Sequence, residues 1–150
     1  MEEGSVADIS PLWQQRMEQE RIERIEQELR VARRIQQASL PKEVPQLEGW
    51  QIAPYYQPAR EVGGDFYDFH LLPEGRLGLV VGDATGKGVP AALVMPTTCG
   101  MLQLAAQGSD SFSPGTVLSR GNQTLYARSP SNMFVTCFYA ILDPKSGHLS

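Results

Sequence analysis

Cysteine and long apolar runs are both scarce in this chain. Its two cysteines, Cys99 and Cys137, have no CxxC spacing and no neighbours of metal-ligand type, so we interpret them as buried thiols in a reducing cytoplasm. No apolar run approaches the roughly 20 residues that span a bilayer. The acidic N-terminus, with Glu2 and Glu3, lacks the basic and apolar regions of a signal peptide. These absences predict a cytoplasmic protein that is not bound to a membrane.

An excess of basic charge is also lacking. The formal net charge is −4 and the isoelectric point is near 5.2, which argues against a general affinity for nucleic acid or anionic lipid. The 41% of apolar residues and 20% of charged residues are typical of a folded soluble chain. At 150 residues, the chain has the size of one ordinary domain.

Glycine is absent from residues 11–40, and so is proline between the ends of that segment. Strong helix formers fill it and predict one long helical linker, closed by Pro41 and preceded by a disordered N-terminus at residues 1–10. A stripe with 3-4-3 spacing consists of Ile22, Ile25, Leu29 and Ala32. The helix either packs on its own domain or forms a short coiled coil between two chains. The narrow seam, which ends at Gln36 and Ser39, favours the coiled coil and a homodimer.

From Trp50 onward the pattern changes to short aromatic and β-branched runs separated by turns. We predict strands in GWQIAPYYQPA, GGDFYDFHLL, RLGLVVGDA and NMFVTCFYAILD, with a turn at Pro73–Gly75. Helices are predicted from VPAALVM onward, kinked or interrupted near Met95 by Pro96, and across SPGTVLSRGNQTLYAR. The last turn, DPKSG, is followed only by HLS, so we expect the domain to be cut within a hairpin.

Two aspartates stand beside glycines on consecutive predicted strands. Asp65 follows Gly63 and Gly64, and Asp83 ends the next strand. If these strands pair through the Pro73–Gly75 turn, both carboxylates reach the same end of the sheet and require a positive partner. Mg²⁺ or Mn²⁺ would suit them, although both residues can also merely cap turns.

The glycines around these aspartates would let the backbone approach an ion and its waters; they are Gly63, Gly64, Gly82 and Gly86. By strand alternation Asp65 and Tyr67 share one face, so we interpret Asp68, on the other, as a surface or turn residue. His70 is interpreted as incidental. The run GDATGKG is not a Walker A loop, because the required first glycine and the hydroxyl after the lysine are both missing.

Three stretches resemble one known family. YYQPAREVGGDFYDF, LGLVVGDATGKGVPAALVM and NMFVTCFYAILDPKSGHL look like the bacterial SpoIIE-type branch of the PPM family of metal-dependent serine/threonine phosphatases. The similarity covers residues 48–150, which would be a truncated phosphatase domain. It implies an α+β fold, an α-β-β-α sandwich of two antiparallel sheets, incomplete at the C-terminus and preceded by the long helix.

The resemblance also implies a site with two Mn²⁺ or Mg²⁺ ions. Asp83 matches the bridging carboxylate, the carbonyl of Ala84 would be a further ligand, and Asp65 would approach from the neighbouring strand. A metal-activated water would be the nucleophile, so no catalytic side chain is assigned. Lys87 is a candidate phosphate-binding residue or simply a solvated lysine. Thr85 stands where eukaryotic relatives carry a histidine, which leaves the general acid unassigned.

The family implies a phosphoserine or phosphothreonine protein as substrate, such as an anti-sigma-factor antagonist, and an upstream sensor or receiver domain. The family's remaining metal aspartates would lie beyond Ser150, so we expect weak metal binding and little or no activity from this piece alone. The alternative is a catalytically inactive phosphatase-like module that dimerises and binds a partner.

Overall fold

A long helix precedes the folded domain. The computed structural model describes residues 10–58, 61–86, 88–108, 113–128 and 132–150, and its first element is helix α1, Ser10–Gln37. The helix ends three residues before the predicted Leu40, in a turn that precedes Pro41. Gln36 is its one buried residue, whereas Ile22 and Ile25 are 41% and 43% exposed. The apolar stripe therefore does not pack on the chain's own domain at Ile22 and Ile25.

A three-stranded antiparallel sheet follows. Strands β1 (Asp65–Leu71), β2 (Leu77–Ala84) and β3 (Val135–Leu142) lie in the order β1-β2-β3, and a short 3-10 turn at Pro73–Gly75 joins the first two. The predicted pairing through this turn is confirmed, since Leu71 lies opposite Leu77. The α+β class, the antiparallel sheet and the N-terminal helix are confirmed. The described residues contain this one sheet.

Two helices cover one face of the sheet. They are α2 (Val89–Ala106) and α3 (Pro114–Tyr126). Burial alternates along β1 and β2 because successive side chains point to opposite faces. The core between the sheet and the helices consists mainly of Phe66, Val80, Met95, Cys99, Leu102, Val117, Tyr139 and Ile141. This packing fixes which face of β1 and β2 points away from the helices, and Asp65 and Asp83 are on that face.

Two predicted features are wrong. Residues 50–58 form no strand, although their aromatic residues favour one, because Pro54 and Pro58 each remove a backbone donor. Of the kink or interruption predicted at Pro96, the interruption is wrong, because helix α2 continues through Pro96. The buried contacts of Met95 and Cys99 on either side hold this part of the helix against the core.

Helix α2 also has the length and hydropathy of a membrane span, the only helix of the described residues that does. Its buried residues, among them Met95 and Leu102, belong to the core that packs on the sheet. We therefore interpret α2 as a core helix.

The predicted C-terminal turn is present. The Asp143 carboxylate accepts hydrogen bonds from the Lys145 N–H and the Ser146 hydroxyl at 2.9 and 2.7 Å. These bonds lower the pKa of Asp143. The chain then returns along β3, where Ile141 and Ser150 exchange two backbone hydrogen bonds of 2.9 and 3.0 Å.

Candidate metal site

The two predicted aspartates lie directly opposite each other. Asp65 begins β1 and Asp83 is the penultimate residue of β2, and the antiparallel register pairs them. Both are exposed. Directly opposite residues have Cβ atoms about 4.5–5.5 Å apart. The expectation that both aspartates lie at the same end of the sheet is confirmed.

The surroundings of Gly64 explain why the residue before Asp65 is a glycine. A Cβ atom added to Gly64 would lie 2.3 Å from the Ala84 carbonyl oxygen and 2.8 Å from the Asp83 carboxylate. The Ala84 N–H donates to the Gly64 carbonyl at 3.1 Å. Hence the main chain before Asp65 packs against both Asp83 and Ala84, and any larger residue would displace them.

The other three glycines differ in what they contact. A Cβ on Gly63 would meet only ordinary contacts, 3.6 Å from Pro58 and 3.9 Å from the Tyr56 hydroxyl. Gly82 lies on the core side, where a Cβ would be 2.4 Å from the Phe66 ring, so it makes room for that ring rather than for an ion. Gly86 adopts φ +98°, which favours glycine in the turn after β2.

Tyr56 is a polar neighbour of this site that the sequence analysis missed. Its hydroxyl oxygen is buried and has no hydrogen-bond partner among the described residues. Burial, and then the nearby Asp65 carboxylate, raise the pKa of Tyr56. A buried hydroxyl without a partner beside a carboxylate is an orphaned polar atom that a ligand or its waters would satisfy.

Two threonines connect the site to β3. The Thr136 hydroxyl donates to the Asp83 carbonyl at 3.3 Å, and Thr136 is the register partner of Asp83. Thr85 donates its hydroxyl to the Phe134 carbonyl and accepts the Phe134 N–H, both at 2.9 Å. These bonds hold the Thr85 side chain on the backbone that leads into β3, a positioning contact that gives it no assigned role as an acid.

Asp68 is not the surface or turn residue that we predicted. It lies within β1, half-buried on the core side, and its carboxylate contacts the His70 Nε2 at 3.2 Å. The His70 Nδ1 is 3.1 Å from the Tyr139 hydroxyl. Burial, and then Asp68, raise the pKa of Tyr139 to about 12. This core network is separate from the Asp65–Asp83 pair.

The free thiols also differ from each other. Cys99 is buried, as predicted, and burial raises its pKa to about 12. The prediction is wrong for Cys137, which is only half-buried, although burial raises its pKa as well. Lys87, the candidate phosphate-binding residue, lies outside the described residues.

The donor set of the site suits a hard divalent cation but is small. It comprises the Asp65 and Asp83 carboxylates with the Ala84 backbone beside them, all oxygen donors of the kind that Mg²⁺ and Mn²⁺ prefer. In the described ranges, no three His, Cys, Asp or Glu side chains come together as a metal cluster. The residues fit an ion that keeps several of its waters.

The chain is similar to known proteins over a region that includes part of this site. The family described as Stage II sporulation protein E (SpoIIE) matches residues 73–150, which include Asp83, Ala84 and both later helices. The chain belongs to this family. It is accordingly a member of the SpoIIE-type branch of PPM phosphatases, as the sequence motifs indicated.

Three curated relatives are similar over most of this chain. It is 35% identical to protein IcfG of Synechocystis sp. over 82% of its length, and 32% identical to the phosphoserine phosphatase RsbU of Bacillus subtilis over 77%. The phosphoserine phosphatase RsbP of Bacillus subtilis is 30% identical over 67%. The chain spans only 23%, 34% and 24% of these three proteins, respectively.

Among solved structures, the chain is similar to that of the RsbU and RsbW domains of Rv1364c from Mycobacterium tuberculosis. That structure is 30% identical over 57% of this chain and 23% of that one, with a TM-score of 0.47.

Proposed function

We propose that the protein is a metal-dependent serine/threonine phosphatase of bacterial signalling, with Asp65, Asp83 and the Ala84 carbonyl as ligands of Mn²⁺ or Mg²⁺. The observation that carries the proposal is the register pairing of Asp65 with Asp83 against the bare backbone of Gly64. Membership of the SpoIIE family and similarity to two phosphoserine phosphatases support the reaction class.

The residues of the site would act by holding the oxygen ligands of the ion in position. Asp65 and Asp83 supply negative charge at the exposed end of the sheet. Because Gly64 has no side chain, its backbone lies close to the Asp83 carboxylate and the Ala84 carbonyl. Bound divalent ions of this kind activate water and neutralise phosphoryl oxygens. Thr136 and Thr85 hold the end of β2 against the entry to β3, and so they fix the backbone that carries Asp83.

The substrate class follows from the relatives named phosphoserine phosphatases. We propose a phosphoserine or phosphothreonine protein, such as an anti-sigma-factor antagonist, and a cytoplasmic location. An upstream sensor or receiver domain is part of the same proposal. The exposed site at the sheet end gives a protein substrate room to approach.

A homodimer through residues 11–40 belongs to this proposal. Trp13, Met17, Ile22 and Ile25 are between 41% and 61% exposed in the single chain. Contiguous exposed apolar side chains along a helix are typical of a surface that a second helix covers.

The test is Mn²⁺ binding by the protein, followed by electron paramagnetic resonance, together with phosphate release from a phosphoserine protein. We expect Asp83→Asn to weaken Mn²⁺ binding at least about 10-fold and to abolish any phosphate release, because it removes the central carboxylate charge. Glu74→Gln is the matched control, since it removes one negative charge from an exposed residue at the other end of the same hairpin. Equal Mn²⁺ binding by the Asp83→Asn variant and the wild type contradicts the proposal.

A catalytically inactive signalling module is the second candidate. The observation that favours it is the small donor set, two carboxylates without a third acidic, histidine or cysteine side chain among the described residues. It predicts that the protein binds a phosphoserine protein without releasing phosphate at any Mn²⁺ concentration. Phosphate release that requires Asp83 excludes it.

A further inference from the structure

Gln36 is a buried amide at the end of an otherwise exposed helix. Its exposed fraction is 4%, and it is the only buried residue of α1. An amide side chain in such a place is costly unless its donor and acceptor groups are paired. The hydrogen-bond partners of Gln36 therefore indicate which part of the domain the end of α1 holds in place.

Both ends of the Gln36 amide bind the same glycine. The Gly63 N–H donates to the Gln36 Oε1 at 3.1 Å, and the Gln36 Nε2 donates to the Gly63 carbonyl at 2.5 Å. Gly63 lies in the loop before β1, outside the strand pairing. One side chain thus supplies both hydrogen bonds of a residue that the sheet does not hold.

The next residue along the chain belongs to the metal site. Gly64 packs against the Ala84 carbonyl and the Asp83 carboxylate, and Asp65 follows as the first residue of β1. Any shift of the Gly63 backbone passes directly to these contacts, because adjacent Cα atoms are about 3.8 Å apart across a rigid peptide.

A third contact of Gln36 reaches α2. Its Nε2 lies 3.5 Å from the Ala92 carbonyl. Pro96, four residues further along α2, has no N–H to donate to this carbonyl, which is left without its helical partner. Gln36 therefore lies between the loop before β1 and the gap that Pro96 leaves in α2.

A second link between α1 and the loop is weaker. Arg33 and Glu61 form an ion pair of 3.1 Å whose side chains are 42% and 49% exposed. Exposed pairs of this kind contribute little because water and salt screen them. The buried amide is the specific connection.

We propose that Gln36 is a positioning residue of the Asp65–Asp83 site. It holds the backbone of Gly63 and Gly64 in the place where Gly64 meets Asp83 and Ala84, and so it sets the separation of the two carboxylates. The inference rests on the proposed function, because it assigns Gln36 to the same metal site.

The experiment compares Gln36→Met with Gln37→Met in the full chain. Methionine keeps the unbranched shape of glutamine and removes its hydrogen bonds, and Gln37 is the adjacent exposed residue of the same helix. Two quantities are measured: the dissociation constant for Mn²⁺ alone, and the exchange rate of the Gly63 and Gly64 amide hydrogens without metal.

We expect Gln36→Met to weaken Mn²⁺ binding about 10-fold or more, as residues that orient metal ligands commonly do. Amide exchange at Gly63 should become at least about 10-fold faster, since its N–H loses the Gln36 acceptor. Gln37→Met should match the wild type in both measurements. Wild-type values in the Gln36→Met variant overturn the inference.

Two further outcomes are informative. If the wild type binds no Mn²⁺, the proposed function fails, and unchanged Gly63 exchange in Gln36→Met then overturns the positioning role as well. If Gln36→Met does not fold, Gln36→Asn replaces it, because asparagine keeps the amide but is one methylene too short to reach Gly63. Mn²⁺ affinity equal to the wild type in Gln36→Asn overturns the inference.

Discussion

Gly63 and Gly64 are adjacent and chemically identical, yet their surroundings differ. A Cβ on Gly64 would collide with the Ala84 carbonyl at 2.3 Å, whereas the nearest atom to a Cβ on Gly63 is 3.6 Å away. The collision involves backbone on both sides, so neither partner can rotate out of the way. The sequence shows two equal glycines, and only the structure tells them apart.

We predict that Gly64→Ala lowers the free energy of unfolding by about 1–3 kcal/mol, because the added methyl group overpacks the contact with β2. The same variant should bind Mn²⁺ at least about 10-fold more weakly, since Asp83 must move. Urea unfolding and Mn²⁺ titration measure the two effects.

Gly63→Ala is the matched control for this prediction. Its methyl group finds ordinary contacts, so the free energy of unfolding should change by no more than about 0.5 kcal/mol. Equal losses of stability in the Gly63→Ala and Gly64→Ala variants would show that the close contact with Ala84 is not what requires glycine.

Gln36 shows how a residue can be misread from the pattern alone. Its polarity predicts that the apolar stripe of α1 ends there, but Gln36 continues the 3-4-3 spacing of Ile22, Ile25, Leu29 and Ala32 by four residues. A polar residue at a buried position of such a stripe indicates a hydrogen-bond partner on the facing surface. That signal was present, and the partner, Gly63, is 27 residues away.

At the scale of elements, the local signals were sufficient for the β1–β2 hairpin. A turn at Pro73–Gly75 between two alternating runs predicts pairing of neighbours, and the register then follows by counting from the turn. The aromatic run at 50–58 carries a similar propensity but forms no strand. Strand formation requires a partner, and β propensity does not identify one.

The core side of the sheet depends on the network of Asp68, His70 and Tyr139. We predict that Tyr139→Phe lowers the free energy of unfolding by about 1–3 kcal/mol, because it leaves the buried His70 Nδ1 without its partner. Tyr126→Phe is the control, since Tyr126 is 86% exposed. Chemical denaturation of both variants at pH 7 measures the difference, and equal stability would contradict a role for the Tyr139 hydroxyl.

The same residue predicts a pH dependence. The pKa of Tyr139 rises from 10.0 to about 12 in the folded protein, so its neutral form is favoured by folding. The contribution of Tyr139 to the free energy of unfolding is therefore fully present below pH 10 and is lost as the pH rises toward 12. The unfolding free energy of Tyr139→Phe should therefore fall less steeply over this range than that of the Tyr126→Phe control.

At the scale of the whole molecule, α1 leaves most of its large apolar residues exposed. Ile22 and Ile25 are exposed, and among the residues of α1 only Gln36 is buried. This arrangement is inconsistent with α1 packing along its own domain at those residues. The exposure of Ile22 and Ile25 agrees with a helix whose apolar side is covered by a second chain.

We predict that the protein dimerises through residues 11–40 and that Ile25→Glu weakens the dimer by at least about 10-fold, because it places a charge in the seam. Gln27→Glu introduces the same charge on the opposite side of the helix and should leave the dimer intact. Sedimentation equilibrium measures both. A wild type that stays monomeric at high concentration contradicts the proposal.

The sequence by itself determined the elements whose signals are local: the long helix, the paired strands around Pro73–Gly75, and the meeting of Asp65 with Asp83. Short-range hydrophobic periods and turn residues suffice for these because the interacting residues are close in the chain. Only the tertiary structure decided which glycine must be bare, that Asp68 faces the core, and that Gln36 holds Gly63. Gln36 and Gly63 are 27 residues apart, and the network that Asp68 joins connects His70 to Tyr139, 69 residues apart, so packing rather than local propensity selects these partners. Gly64 meets Ala84 within one hairpin, but local propensity does not determine how closely the two backbones approach.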